Sequence, residues 1–76
     1  MGQNSRRERF VALAEKRVTR AIKDLRLIGN LSNRTNYSYA AEDVRKIVSV
    51  LENEVKALRR RFELRKDPEE IIFKLE

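Results

Sequence analysis

A row of apolar residues between positions 41 and 64 constrains the fold of this chain more than any other feature of its sequence. The spacing along the row alternates between three and four residues. Side chains at that spacing share one face of an α-helix, whereas a half-buried strand needs an apolar residue at every second position. The row therefore predicts a long amphipathic helix over residues 40–65 that packs against another helix. The members of this C-terminal apolar row are Ala41, Val44, Val48, Leu51, Val55, Leu58 and Phe62.

A second row with the same alternation lies earlier in the chain and predicts a first helix over residues 5–28, capped by Asn4 or Ser5. Its small alanines allow two helices to approach closely, as they do in tight helical hairpins. We therefore expect an all-α fold in which the two helices form an antiparallel hairpin. The members of this N-terminal apolar row are Val11, Ala14, Val18, Ala21, Leu25 and Ile28.

The chain has 76 residues and no Cys. A single core of this size seldom contributes more than about 3–5 kcal/mol without disulfides, metal or oligomerisation. Further apolar side chains lie outside both rows, and a single hairpin cannot cover all of them. We expect a single domain that forms a homodimer, in which two hairpins pair into a four-helix bundle. These additional residues are Phe10, Leu13, Ile22, Leu27, Ile47, Val50 and Leu64.

Residues 29–39 are rich in Asn, Ser and Thr, whose side chains bond local backbone groups in turns. They predict an ordered loop, in which Gly29 takes the left-handed position that ends the first helix and Ser38 caps the second. Long polar loops that contain aromatics often carry recognition, so Arg34, Tyr37 and Tyr39 are a candidate contact surface. In the alternative, both tyrosines pack on the end of the bundle.

The tail, residues 66–76, permits two interpretations. Asp67 and Pro68 followed by acidic residues are typical of a helix start, which predicts a short third helix. Ile71, Phe73 and Leu75 also alternate as they would in a strand, so an extended, β-paired tail remains the alternative.

Basic residues are concentrated where the first helix begins and the second ends, two places that an antiparallel hairpin would bring together. Eight Lys and Arg lie there against two acids, Glu8 and Glu63, which equals the whole net charge of +6. Guanidinium groups form paired bonds to phosphates, so this end is a candidate site for DNA or RNA. In the alternative to a binding site, the cations are solvated, and acidic residues of the tail fold back on them. The candidate residues are Arg6, Arg7, Arg9, Arg59, Arg60, Arg61, Arg65 and Lys66.

Other classes of function find little support. Without His or Cys, the usual metal, haem and nucleophile sets are missing, so we expect no enzyme, no metal and no cofactor. There is no apolar run of about 18 residues that would span a membrane, and no signal-peptide pattern, so we expect a cytoplasmic protein. The rival to nucleic-acid binding is a protein–protein interaction module, an adaptor or inhibitor that docks through its apolar flanks or its Asn-rich loop.

Over residues 6–65, the two heptad helices and the alanine-containing row resemble the Rop family of small dimeric helical-hairpin RNA-binding proteins. The resemblance is one of architecture and implies a dimeric four-helix bundle. No motif of that family's RNA-contacting face is matched, and fold alone does not settle function.

Overall fold

The structure is a computed structural model that describes residues 2–65, with side chains from residue 5 onward. Within these residues the chain forms two α-helices, α1 (Gly2–Gly29) and α2 (Ala41–Glu63), and no strand. A single turn of 3-10 helix, Asn30–Ser32, follows α1. The predicted all-α class and the two long helices are confirmed. The predicted short helix or extended tail over residues 66–76 lies outside the described residues.

The helices belong to two units, Met1–Ser38 and Tyr39–Glu76. Helix α1 and its 3-10 turn form the first unit, and α2 forms the second. Within each unit, contacts join residues that are close in the chain.

Helix α1 starts earlier than the sequence predicts. Because it begins at Gly2, Asn4 and Ser5 lie inside the helix, and the prediction that one of them caps it is wrong. The early start also moves Arg6 past the first turn. The interaction of a charge with the helix dipole falls off within that turn. The unfavourable interaction of Arg6 with the dipole is therefore weaker than it would be in a helix that began at residue 5.

Gly29 does not adopt the left-handed conformation predicted for it. Its φ of −61° and ψ of −28° are right-handed, and none of the described glycines has a positive φ. The helix tightens into the 3-10 turn instead of reversing, and the Asn33 N–H donates to the Asn30 carbonyl at 3.5 Å. Since that turn occupies the carbonyls at the helix end, no left-handed residue is needed there.

Helix α2 is capped from within rather than by Ser38, so that prediction is also wrong. The boundary residue is Ala40, with an extended φ of −107° and ψ of 163°. Its side chain has no hydrogen-bonding atom. The Asp43 carboxylate supplies the bond instead, accepting from the Ala40 N–H at 2.8 Å. This is the acidic half of a capping box, and Glu42 and Asp43 also place negative charge where the helix dipole favours it.

The described part of each unit forms no core of its own, because no side chain between residues 5 and 65 is buried. The most sheltered residues of the two helices, Val11, Ala14 and Leu51, are half-buried and all belong to the predicted apolar rows. Other members of the rows stay open to solvent, such as Val18 at 56% and Phe62 at 62%. The structure therefore gives no support to the packed hairpin or the four-helix bundle, and both stay predictions.

Candidate nucleic-acid interface

The basic residues predicted as a site occupy the first turns of α1 and the last turns of α2. All seven that the structure describes are exposed. Lys66, the eighth, lies outside the described residues. The two helix ends belong to different units, the start of α1 to Met1–Ser38 and the end of α2 to Tyr39–Glu76.

At the start of α1 the three arginines do not share one face. Successive helical positions are about 100° apart, which places Arg6 and Arg9 about 60° from each other and Arg7 on the line of the N-terminal apolar row. The structure pairs Arg7 with the ring of Phe10, whose centroid lies 5.7 Å from the guanidinium carbon. That distance is within the range of a cation–π contact. Arg6 and Arg9 are therefore the better candidates for phosphate contact at this end.

At the end of α2 the arginines form a ring around the helix axis. Arg59, Arg60 and Arg61 are consecutive, so their side chains leave the helix about 100° apart and cannot all contact one flat surface. Arg65 follows Arg61 by one turn and sits in the turn that closes the helix, where its N–H donates to the Phe62 carbonyl at 3.3 Å. Arg60 and Arg61 in the last turn also interact favourably with the negative end of the helix dipole.

These arginines are not held by carboxylates of the described chain. The ion pair found there joins Lys46 to Glu42 at 3.7 Å, an exposed pair one helical turn apart. Such a pair contributes about 0.3–0.5 kcal/mol. Among residues 5–65, therefore, no carboxylate occupies the guanidinium groups at the helix ends.

The loop is ordered in the way its composition predicts. The Asn33 carboxamide oxygen accepts from the Thr35 N–H at 2.9 Å, and the Asn33 carbonyl accepts from the Tyr37 N–H at 3.0 Å. Of the candidate recognition residues, Arg34 and Tyr37 lie in the first unit, and Tyr37 is exposed. Tyr39 begins the second unit and is half-buried.

A further set of cations runs along α1, and its members are not neighbours in the sequence. Arg9, Lys16, Arg20 and Lys23 follow one another at spacings of seven, four and three residues, and all four are exposed. That spacing puts them on one face of the helix. We call this set the basic stripe. The helical spacing that identifies the apolar rows also identifies the stripe when it is applied to Lys and Arg.

Among residues 2–65, no group of three or more acidic residues is arranged to hold a metal ion. A shallow groove on α2 is lined by Glu42, Arg45, Lys46, Ser49 and Val50. Neither described helix combines the length and the apolar character that crossing a membrane requires.

Comparison with models of known protein families gives no match, and no significant match is found among curated proteins or solved structures.

Proposed function

We propose that this protein is a non-enzymatic, nucleic-acid-binding accessory protein that contacts phosphates through the arginines at its helix ends. One observation carries the proposal: the seven described arginines of the predicted site are exposed and form no ion pair with the described carboxylates. A charge-assisted bond from a guanidinium to a phosphate is about twice as strong as a neutral hydrogen bond.

The proposal includes the antiparallel hairpin and its dimer. In that arrangement the start of α1 would lie beside the end of α2, and dimerisation would double the number of basic ends. The exposure of both apolar rows supports it, since burying one such side chain fully is worth about 1.5–3 kcal/mol. Contiguous apolar faces of this kind mark interaction surfaces.

Fluorescence anisotropy at several salt concentrations tests the function. The variant is Arg59→Gln/Arg60→Gln/Arg61→Gln, which keeps good helix formers, and the probes are duplex DNA, single-stranded DNA and structured RNA. The matched control, Arg45→Gln/Lys46→Gln/Lys56→Gln, removes the same charge from exposed positions earlier in α2. Each lost phosphate contact lowers the salt slope by about 0.9 on duplex DNA. Because the three arginines leave the helix about 100° apart, at most two of them face one duplex, and we expect the slope to fall by about one to two in the variant and by less than one in the control.

Two results would count against this proposal. If the wild type binds none of the probes at low salt, the protein does not bind nucleic acid. If the variant and the control lose affinity equally, only net charge matters and the arginines of α2 form no site. Circular dichroism of each variant establishes that its helices persist.

A second candidate function is a protein–protein interaction module. It is favoured by apolar residues outside the rows that remain exposed, such as Leu27 at 63% and Val50 at 60%. Sedimentation equilibrium separates the two candidates. A dimer that buries these flanks would count against the interaction-module hypothesis. A protein that stays monomeric at all concentrations would keep the flanks exposed to a different partner.

A further inference from the structure

We infer that the basic stripe of α1, formed by Arg9, Lys16, Arg20 and Lys23, is a second contact surface that lies along the backbone of a nucleic-acid duplex. The inference rests on the proposed nucleic-acid binding and extends it from the helix ends to the side of α1. It makes recognition independent of base sequence.

The position of the stripe on the helix is the first argument. At about 100° per residue, its four cations fall within an arc of about 60°, centred about 160° from the N-terminal apolar row. A second helix or a second copy that covers that row alone leaves the stripe facing outward. The stripe is therefore open to a ligand in any arrangement that buries the apolar row and leaves the opposite face of α1 uncovered.

The electrostatics of the stripe are the second argument. No acidic residue falls within its arc. Asp24 lies one turn beyond Arg20 and about 40° outside the arc, and within the described chain the two form no ion pair. In the whole unit Met1–Ser38 nine Lys and Arg face three Asp and Glu, whereas Tyr39–Glu76 carries nine of each. The net charge of the chain thus lies in the unit that contains the stripe.

The dimensions of the stripe favour a duplex. Residues 9 to 23 span about 21 Å of a straight helix. That is well over half of the roughly 34 Å helical turn of B-DNA, along which phosphates occur every 3.4 Å or so on each strand. Leu13 borders the stripe and Leu27 ends it. None of these side chains carries an aromatic ring on which unpaired bases could stack. It also contains no Asn or Gln to bond base edges, which predicts contacts to phosphates alone.

An anionic membrane surface fits this helix less well. A helix that lies on a bilayer buries its apolar face and keeps its cations near the headgroups at the flanks of that face. Here the cations lie nearly opposite the N-terminal apolar row and would point away from the headgroups. The small Ala14 and Ala21 in that row also offer little apolar area for insertion.

The test compares Lys16→Gln/Arg20→Gln/Lys23→Gln with the control Arg45→Gln/Lys46→Gln/Lys56→Gln, which removes the same charge from α2. Gln forms helices nearly as well as Lys or Arg, so α1 should persist, and circular dichroism checks it. Binding is measured by anisotropy against mixed-sequence duplex DNA, duplex RNA, single-stranded DNA, and vesicles rich in an anionic phospholipid. We expect the stripe variant to lose roughly tenfold or more in duplex affinity, with a salt slope lower by about two to three. Unrelated duplexes should compete equally.

The outcomes separate the two proposals. If the wild type binds duplexes and the stripe variant matches the control in affinity and salt slope, the stripe is no contact surface, while binding by the helix ends stands. If the wild type binds no nucleic acid, both proposals fail. Binding to vesicles but not to duplexes overturns the stripe as a nucleic-acid surface, and so does a preference for one duplex sequence that disappears with the stripe.

Discussion

Replacing Gly29 with alanine should stabilise the protein, because Gly29 adopts right-handed helical dihedral angles and nothing crowds the position. A Cβ built on Gly29 meets no atom within 4 Å, and φ is −61°. Alanine is favoured over glycine by about 0.8–1.0 kcal/mol inside a helix. Gly29 is the last residue of α1, so we expect a gain of about 0.4–1 kcal/mol in the free energy of unfolding. A left-handed Gly29 would reverse the sign, because a Cβ there costs roughly 1–2 kcal/mol.

Comparing Gly, Ala and Asn at position 29 sharpens this test. Asn tolerates the left-handed conformation but is a poor helix former, so it distinguishes the two geometries. The right-handed geometry predicts the stability order Ala, Asn, Gly, and the left-handed geometry predicts the reverse. Urea unfolding followed by far-ultraviolet circular dichroism, at one fixed protein concentration, measures the order. If Gly29→Ala is less stable than the wild type, the helix does not continue through Gly29 as described.

Four further substitutions have expected outcomes. Asp43→Ala removes the bond to the Ala40 N–H and should lower the free energy of unfolding, measured in urea, by about 1 kcal/mol. Its control, Ser38→Ala, should change the free energy of unfolding by less than about 0.5 kcal/mol. Equal losses would contradict capping by Asp43. Lys46→Ala should also stay within about 0.5 kcal/mol, because its partner carboxylate is exposed, and a larger loss in the same assay would show that Lys46 has another role. Val48→Asp places a charge in the C-terminal apolar row and should remove the proposed dimer in sedimentation equilibrium, together with the concentration dependence of the melting temperature that a dimer would show. A variant that still sediments as a dimer would show that this row is not the interface.

The helices of this chain could be predicted from its sequence because their signal is periodic and long. Each apolar row repeats its spacing over several turns, and local backbone bonds then suffice to form the helix whatever the partner. The interior of α1 and α2 therefore matches expectation. The half-buried Val11, Ala14 and Leu51 show that the rows also identify the most sheltered positions.

The helix boundaries could not be predicted as well, because several residues compete to satisfy the same backbone groups. Ser38 is a better cap by residue type, yet the carboxylate of Asp43 reaches the Ala40 N–H from inside the helix. Gly29 is the usual residue at a left-handed helix end, yet a 3-10 turn provides another way to close α1. Where each helix begins or ends depends on which hydrogen bond forms at its terminus, and residue types alone do not reveal which bond that is.

The predicted site shows a related limit, since neighbours in sequence are not neighbours in space. Arg59, Arg60 and Arg61 form the densest run of cations, but a helix spreads them around its axis. Arg9, Lys16, Arg20 and Lys23 are far apart in the chain, but one helix face aligns them. The aligned set follows from periodicity and local helix geometry alone, so it could have been found from the sequence.

The distribution of charge assigns different kinetic roles to the two basic surfaces. Attraction at a distance depends on the net charge of the surrounding surface, and the unit Met1–Ser38 carries all of it. Acids elsewhere in Tyr39–Glu76 balance the arginines at the end of α2, whose attraction is thus limited to short range. Losing the stripe should therefore slow association more than losing Arg59, Arg60 and Arg61, which should mainly speed dissociation. Stopped-flow binding at two salt concentrations measures both rates, and equal effects on association would mean that the stripe provides no more steering than the helix end.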